Sequence, residues 1–302
     1  MRAAAGSSSG IEAPGRARAW WLAVRPWSFG ISAAPVLAGS SLAALGGQGV
    51  RPGIAATALL ACLLIHAGTN LQNDVGDFRR GADGAGRIGP PRATTEGWLT
   101  PAEVQLAALL CFALALVPGA LLAARGGWPI VAIGLASIAA GAAYTAGPRP
   151  IAYSGWGEAF VIVFFGLVAV GGVYYLHTGA VGAAALLAGA ALGALAAAVL
   201  VVNNLRDIDS DRRIGKNTLA VRFGRRFSAW EYAALVHAPF GLAALLSLYE
   251  PLVLLPWASS LARRVWREPR GAGLNGVLAA SARLGLAFAL LLSLAAQLRS
   301  SA

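Results

Sequence analysis

Asn70, Asn73, Asp74 and Asp77 fall at i, i+3, i+4 and i+7, a spacing that puts all four on one face of a helix. They close a long apolar run, and a bare carboxylate at the centre of a membrane helix costs roughly 2.5–3.5 kcal/mol on insertion scales. Two carboxylates with two amides beside them suit a hard cation. Magnesium takes oxygen ligands, keeps several waters, and is usually held by one or two carboxylates together with phosphate oxygens. The candidate chemistry is a magnesium ion carrying a diphosphate. A second stretch, from Asn203 to Asp211, also ends an apolar run; Asn203, Asp207 and Asp211 share a face at i, i+4 and i+8, while Asp209 points elsewhere. Two such helix ends facing each other would hold two magnesium ions on one diphosphate. The plainer reading makes each stretch a polar helix end at the membrane interface, and the recurrence of the Asn-then-Asp pattern weighs against it.

The loops behind both stretches are basic. The first carries Arg79, Arg80, Asp83, Arg87 and Arg92 among several glycines; the second reads Arg212-Arg213-Ile214-Gly215-Lys216-Asn217-Thr218-Leu219. Lys216 is the only lysine in the chain, and a compact point charge in an arginine-rich sequence suits a phosphate. Gly215-Lys216-Asn217-Thr218 is not a P-loop, because the first glycine and the flanking strand are missing. Ionising an allylic diphosphate needs the leaving group's charge stabilised, which metals and cationic side chains do electrostatically. The carbocation left behind needs an aromatic, water-excluding pocket. Tyr144, Tyr153, Phe164, Phe165, Tyr174 and Tyr175 are the aromatic residues near enough in topology to line one.

The elements that must position these residues are membrane helices. The 302 residues are 57% hydrophobic and 12% charged, with mean hydropathy +0.65, which describes an all-α polytopic membrane protein and not a soluble core. Cys62 and Cys111 lie inside apolar runs and read as small core residues. His66, His177 and His237 lack metal-ligand spacing. Residues 1–19 lack the apolar stretch of a signal peptide and read as a disordered cytoplasmic tail, with 20–302 a single transmembrane domain. Trp20, Trp21 and Trp27 with Arg25 form an interfacial belt before the first span. About nine spans follow, near 28–45, 54–73, 101–124, 129–146, 157–176, 181–205, 229–248, 251–265 and 275–298. Runs of about 20 residues match a bilayer core of about 30 Å.

Nine spans make the orientation readable. With the N-terminus inside, Arg51, Arg125 and Arg299 fall outside, Arg283 falls within the last span, and the other twenty of the 24 Lys and Arg residues fall on the inner side. That bias predicts a cytoplasmic N-terminus and puts both acidic stretches at the cytoplasmic face of the cell membrane. It also accounts for the net charge of +11 through short loops and anionic lipid, without nucleic acid. Asn70-Leu71-Gln72-Asn73-Asp74 and Asn203-Asn204-Leu205-Arg206-Asp207 echo each other faintly, as in a duplicated helical unit.

Asn73-Asp74-Val75-Gly76-Asp77 and Asp207-Ile208-Asp209-Ser210-Asp211 resemble the two signatures of the UbiA-type intramembrane prenyltransferases. Further stretches are similar to the 1,4-dihydroxy-2-naphthoate polyprenyltransferases of menaquinone synthesis. These are Arg25-Pro26 with Pro35 to Gly39, Arg87 to Arg92, Tyr144 to Pro150, and Asn203 to Asp207 running on to Gly215 to Leu219. The superfamily's third acidic position in the first motif would fall at Gly81; here the acidic residue comes later, at Asp83.

The resemblance implies a helical bundle around a central cavity that opens sideways to lipid. It implies that Asn73, Asp74, Asp77, Asp207 and Asp211 hold magnesium, the four aspartates being the catalytic set. Arg87, Arg92 and Lys216, with Asn70 and Asn203, would bind the diphosphate. Arg149 and Tyr153 are the residues expected to hold the acceptor. The implied reaction moves a polyprenyl group from its diphosphate to the naphthoate with loss of carbon dioxide. Two alternatives share parts of the pattern. One is a sister enzyme using 4-hydroxybenzoate, homogentisate, haem or a dihydroxy-6-naphthoate. The other is a cation-coupled transporter, against which stand acidic groups at helix ends and not at the bilayer centre.

Overall fold

The computed structural model describes residues 13–82, 88–268 and 271–300, and the regular elements among them are all helical. Six segments are long and apolar enough to cross a membrane: Arg16–Leu45, Pro52–Arg79, Pro101–Gly126, Gly157–Thr178, Ala183–Arg206 and Gly273–Ser300. The first is broken, α1 (Arg16–Val24) and α2 (Gly30–Leu45) meeting at a short 3-10 turn, Pro26–Ser28. Then come α3 (Pro52–Arg79), α4 (Pro101–Gly126) and the shorter apolar α5 (Trp128–Ala143). The fourth segment is three pieces: α6 (Gly157–Val161), a π-helix (Ile162–Val168) and α7 (Ala169–Thr178). After α8 (Ala183–Arg206) come the short α9 (Ile208–Arg213), α10 (Leu219–Leu245), α11 (Leu255–Arg267) and α12 (Gly273–Ser300).

Helix ends follow local chemistry. Thr100 and Glu103 form a capping box at the start of α4, with Pro101 at the first helical position. The Thr218 hydroxyl accepts from Val221 N to start α10. Gly224, at φ 78° and ψ −178°, kinks α10 three residues before Phe227. Helix α1 takes in the last four residues of the expected tail, because Ala19 and Ala23 pack against Leu71, Val75 and Ala108.

Helix α8 is the centre of the bundle. Two thirds of its apolar window is buried, against 28% for α4. Ala185, Ala188, Gly189, Ala191, Gly193, Ala194, Ala197 and Ala198 are the reason, since small side chains let neighbouring backbones approach where lipid gives no hydrophobic drive to pack. A side chain on Gly166 would strike the Gly189 carbonyl oxygen, so the π-helix rests directly on the α8 backbone. Helix α2 packs against α12, closing the ring between the beginning and the end of the chain, and α3 packs along α4.

The expected eighth span differs in character from an apolar run. It is a 3-10 turn (Glu250–Leu254) leading into α11, whose Ala258, Leu261, Ala262 and Val265 are buried while Arg263, Arg264, Trp266 and Arg267 are exposed. Glu250 pairs with Arg299 at 2.8 Å, and at the other end Arg225 donates to Val265 O at 2.7 Å. The segment thus runs beside α10 from one end of the bundle to the other.

Candidate active site

Helix α3 does not stop at the expected Asn73 but continues to Arg79, because its polar last turns find partners. The Asn73 side-chain oxygen accepts from the Thr145 hydroxyl at 2.9 Å. Asp77 accepts from Arg92 at 2.8 Å and from the Tyr153 hydroxyl at 3.2 Å. The Arg92–Asp77 pair is buried, at 7% and 11% side-chain exposure, where removing one partner costs about 3–5 kcal/mol. Asp74 is fully buried and turned toward the following loop. It accepts from Ala93 N at 3.2 Å, Thr94 N at 3.3 Å and the Thr94 hydroxyl. Asn70 donates its amide to Val24 O at 2.9 Å and to the Ser28 hydroxyl at 3.3 Å. A carbonyl only accepts, so the Asn70 oxygen is turned away from Val24.

The second motif sits on the end of α8 and on α9. Arg206 clamps Asp207 through Nε at 2.8 Å and Nη2 at 2.6 Å, and also reaches Asn203 at 2.8 Å and Asn275 at 2.9 Å. Asp211 is buried, with Lys216 3.4 Å from Oδ1 and no hydrogen-bond partner for Oδ2. Burial pushes the Asp211 carboxyl up to about 6, against the pull of Lys216. A buried, unsatisfied carboxylate oxygen is costly, and this one lies in the second acidic motif with room for a further partner.

Tyr153 joins the two motifs. Its hydroxyl is on Asp77, Lys216 lies over its ring at 5.7 Å and Arg80 at 5.2 Å, and its carbonyl accepts from Asn217 N at 3.1 Å. Burial and the nearby Asp77 hold the phenol well above its ordinary value, so it remains a proton donor in the hydrogen bond. Asn275 makes a second join, donating to Ile88 O at 3.1 Å while accepting from Arg206. Arg149 is exposed on the 144–150 turn, which Arg80 holds by donating to Thr145 O at 2.6 Å. Arg87 and Asp83 lie outside the described residues.

Next to this polar end is a cavity of about 640 Å³. Asn70 and Asn73 line its polar end; Tyr144, Phe160, Phe164 and Phe165 form an aromatic wall. Phe160 and Phe164 lie 4.4 Å apart and Phe165 meets the His66 ring at 5.5 Å. Tyr174 and Tyr175 are not on this wall: Tyr174 packs on the main core, and the Tyr175 hydroxyl donates to Gly126 O at 3.1 Å. The outer lining includes Leu116, Val131 and Leu135, each about half exposed, so the cavity opens sideways at α4 and α5.

Sequence reasoning missed Arg206 as a clamp, Phe160 on the wall and Asn275 as a bridge. Arg206 was readable, being flanked by Asn203 and Asp207 within one turn. Asn275 was not, since nothing local marks it.

The oxygen donors fit magnesium of the kind that works through phosphate. No three His, Cys, Asp or Glu side chains converge among the described residues; magnesium is usually held by one or two carboxylates, with phosphate and water completing its shell. Asp211 Oδ2 and the Asn70 oxygen are available to such an ion, one from each motif.

The UbiA prenyltransferase family model matches residues 32–273. The chain is 33% identical to the 1,4-dihydroxy-2-naphthoate octaprenyltransferase of Haemophilus influenzae, over 91% of this chain and 94% of that one. It is 38% identical to the protein of the same name in Escherichia coli, over 84% and 86%. In fold it is similar to a UbiA homolog from Archaeoglobus fulgidus bound to DMAPP and Mg2+, with TM-score 0.64 and 17% identity over 90% of this chain and 98% of that one.

Proposed function

The chain belongs to the UbiA prenyltransferase family, and from that premise we propose that it transfers a polyprenyl group from an allylic diphosphate to 1,4-dihydroxy-2-naphthoate in menaquinone biosynthesis. The observation that carries the reading is Tyr153, which ties Asp77 of one acidic helix end to Lys216 behind the other. Two acidic ends held together over an apolar, aromatic cavity suit a substrate with a diphosphate head and a hydrocarbon tail.

Asn73, Asp77, Asp207 and Asp211 would hold magnesium, which when bound neutralises the diphosphate and makes it a better leaving group. Asp74 acts through the loop it pins, which carries Arg92. Arg92, Arg87 and Lys216, with Asn203, meet the diphosphate oxygens; Asn70, expected there too, has given both amide hydrogens to Val24 O and the Ser28 hydroxyl, and its oxygen is left for the magnesium. As the C1–O bond breaks, its electron pair leaves with the diphosphate, and the cationic side chains stabilise the charge that develops there. Tyr144, Phe160, Phe164 and Phe165 present ring faces to the allylic cation and keep water out. A naphthoate ring carbon supplies the electron pair of the new C–C bond. The carboxylate then leaves as carbon dioxide, its C–C pair restoring the aromatic ring and giving demethylmenaquinol. Arg149, exposed beside the site, meets the acceptor carboxylate. The arginine bias of the loops supports a cell-membrane protein with this site on the cytoplasmic face.

The test is purified protein in liposomes with radiolabelled farnesyl diphosphate, offered 1,4-dihydroxy-2-naphthoate and 4-hydroxybenzoate in parallel, each with magnesium and with EDTA. The expected result is product from the naphthoate alone, with carbon dioxide released and nothing in EDTA. Product from the benzoate overturns the acceptor and keeps the fold and metal site. Folded protein that prenylates neither returns the question to the other acceptors, and then to transport.

A further inference from the structure

Helices α10 and α11 bring tryptophans and arginines together on one outward patch. Trp230 of α10 is 67% exposed and Trp266 of α11 is 41% exposed, and their rings meet edge to face at 5.3 Å. Arg226 lies one turn before Trp230; Arg263 and Arg267 lie on either side of Trp266 in sequence, and all three arginines are exposed. Spacings of three and four residues put these charges on the same helix faces as the indoles. Across the Gly224 kink the rings of Phe223 and Phe227 lie 4.9 Å apart and widen the aromatic side. Arg225 and Arg264 have other places. Arg225 donates to Val265 O at 2.7 Å, and a side chain on Gly276 of α12 would meet Arg264 Nη2 at 3.6 Å.

The patch is at the end of the bundle that carries the acidic motifs. Thr218, which caps α10, follows Lys216 and Asn217, and the Arg225–Val265 bond holds the end of α11 to the start of α10. At such an end a tryptophan ring sits in the apolar boundary with its polar edge toward the headgroups. The outward face of α4 is different in kind, with Leu110, Leu114, Val117 and Leu121 exposed, as hydrocarbon requires.

Among the described residues, Arg226, Arg263 and Arg267 make no hydrogen bond or ion pair. Arg263 and Arg267 are one turn apart, where like charges repel. The neighbouring acids, Glu231 and Glu268, are half-buried and pair with none of the three. Guanidinium groups of this kind suit phosphate oxygens. A soluble phosphate would leave the indoles bare, whereas a lipid covers both halves of the patch.

We propose that this patch binds the headgroup of an anionic phospholipid, with the phosphate on Arg226, Arg263 and Arg267 and the start of the acyl chains on Trp230 and Trp266. The bound lipid bridges α10 and α11. It is not a reactant, so the site stands apart from the reaction assigned above.

The experiment uses the full-length protein in detergent. Native mass spectrometry follows the uptake of phosphatidylglycerol and, separately, of phosphatidylcholine, and thermal unfolding is recorded with each lipid. Wild type is compared with Arg226→Gln/Arg263→Gln/Arg267→Gln, with the same three positions changed to lysine, and with a control that removes exposed arginines elsewhere, Arg51→Gln/Arg125→Gln. Wild type should bind phosphatidylglycerol about tenfold or more tightly than phosphatidylcholine and unfold at a higher temperature with it. The glutamine variant should lose both effects, and the lysine variant and the control should keep most of them. Arg263→Gln and Arg267→Gln singly, each weakening the preference about fivefold, serve if the triple variant does not fold. Glutamine variants that keep the wild-type preference overturn the proposal, as does a control that loses it equally. Displacement of phosphatidylglycerol by millimolar inorganic phosphate would give the patch to a soluble anion and overturn the lipid assignment.

Discussion

The Tyr153 hydroxyl donates to Asp77 at 3.2 Å, a hydrogen bond that spans 76 positions of the chain and ties the 151–153 turn to the end of α3. Tyr153→Phe keeps the ring under Lys216 and Arg80 and removes only this bond. A hydrogen bond to a charged group is worth about 1.5–3 kcal/mol, so kcat/KM for the donor should fall by about tenfold or more. Lys216→Ala should raise donor KM and leave acceptor KM unchanged. Initial rates with each substrate varied in turn distinguish the two; a raised acceptor KM alone would contradict the role given to Lys216.

Asp74 and Asp211 should separate on substitution. Asp74 accepts three hydrogen bonds from residues 93 and 94, and an amide in its place turns a donor toward donors. Asp74→Asn should therefore lower the unfolding temperature as well as activity. Asp211 Oδ2 has no hydrogen-bond partner, so Asp211→Asn should keep or raise the unfolding temperature while activity is lost. Thermal unfolding beside turnover reads both; active Asp211→Asn protein would remove it from the metal site.

Magnesium demand should depend on pH through Asp211. Its carboxyl is pushed by burial to about 6 from an ordinary 3.8, so below pH 6 the cation must displace a proton. At limiting magnesium, turnover should fall about tenfold per pH unit below that point, and saturating magnesium should restore it. In EDTA the stability effect has the opposite sense. The neutral carboxyl is the form that burial tolerates, so its contribution is present below pH 4 and lost as pH rises through about 6. Unfolding scans from pH 4 to 8 in EDTA should show that loss in the wild type and not in Asp211→Asn.

Gly134 lines the cavity on α5, and a side chain there meets nothing within 4 Å. Gly134→Phe should fold normally and narrow the tail space. Competition between farnesyl and octaprenyl diphosphates should show the long donor losing ground and the short one retained. Equal use of both would mean that the tail leaves by another route.

The helices and both acidic stretches were legible in the sequence, because apolar run length and the Asn–Asp spacing report directly on membrane burial and helical face. What the spacing could not tell is how wide a face is. Residues at i, i+3, i+4 and i+7 spread over about 100° at 3.6 residues per turn, enough to straddle two environments. Asn70 and Asn73 line the cavity while Asp74 faces the 93–94 loop. The π-helix was illegible for a different reason. It arises where Gly166 meets Gly189 and Gly193, a contact between segments more than twenty residues apart. The left-handed turn at Arg25, φ 58° and ψ 58°, was hidden because sequence rules assign such positions to glycine, and here it is held on arginine by Asn70 donating to Val24 O and Ser28 donating to Arg25 O.

The sideways opening of the cavity at Leu116, Val131 and Leu135 has a kinetic consequence. A donor that enters from the bilayer arrives by two-dimensional diffusion, so the concentration the protein samples is a mole fraction of lipid and not a bulk molarity. Added detergent or empty vesicle lipid dilutes the donor at constant total amount, while the water-borne acceptor is untouched. Michaelis constants for the two substrates therefore belong on different axes, and the same enzyme shows different donor saturation at different lipid-to-protein ratios.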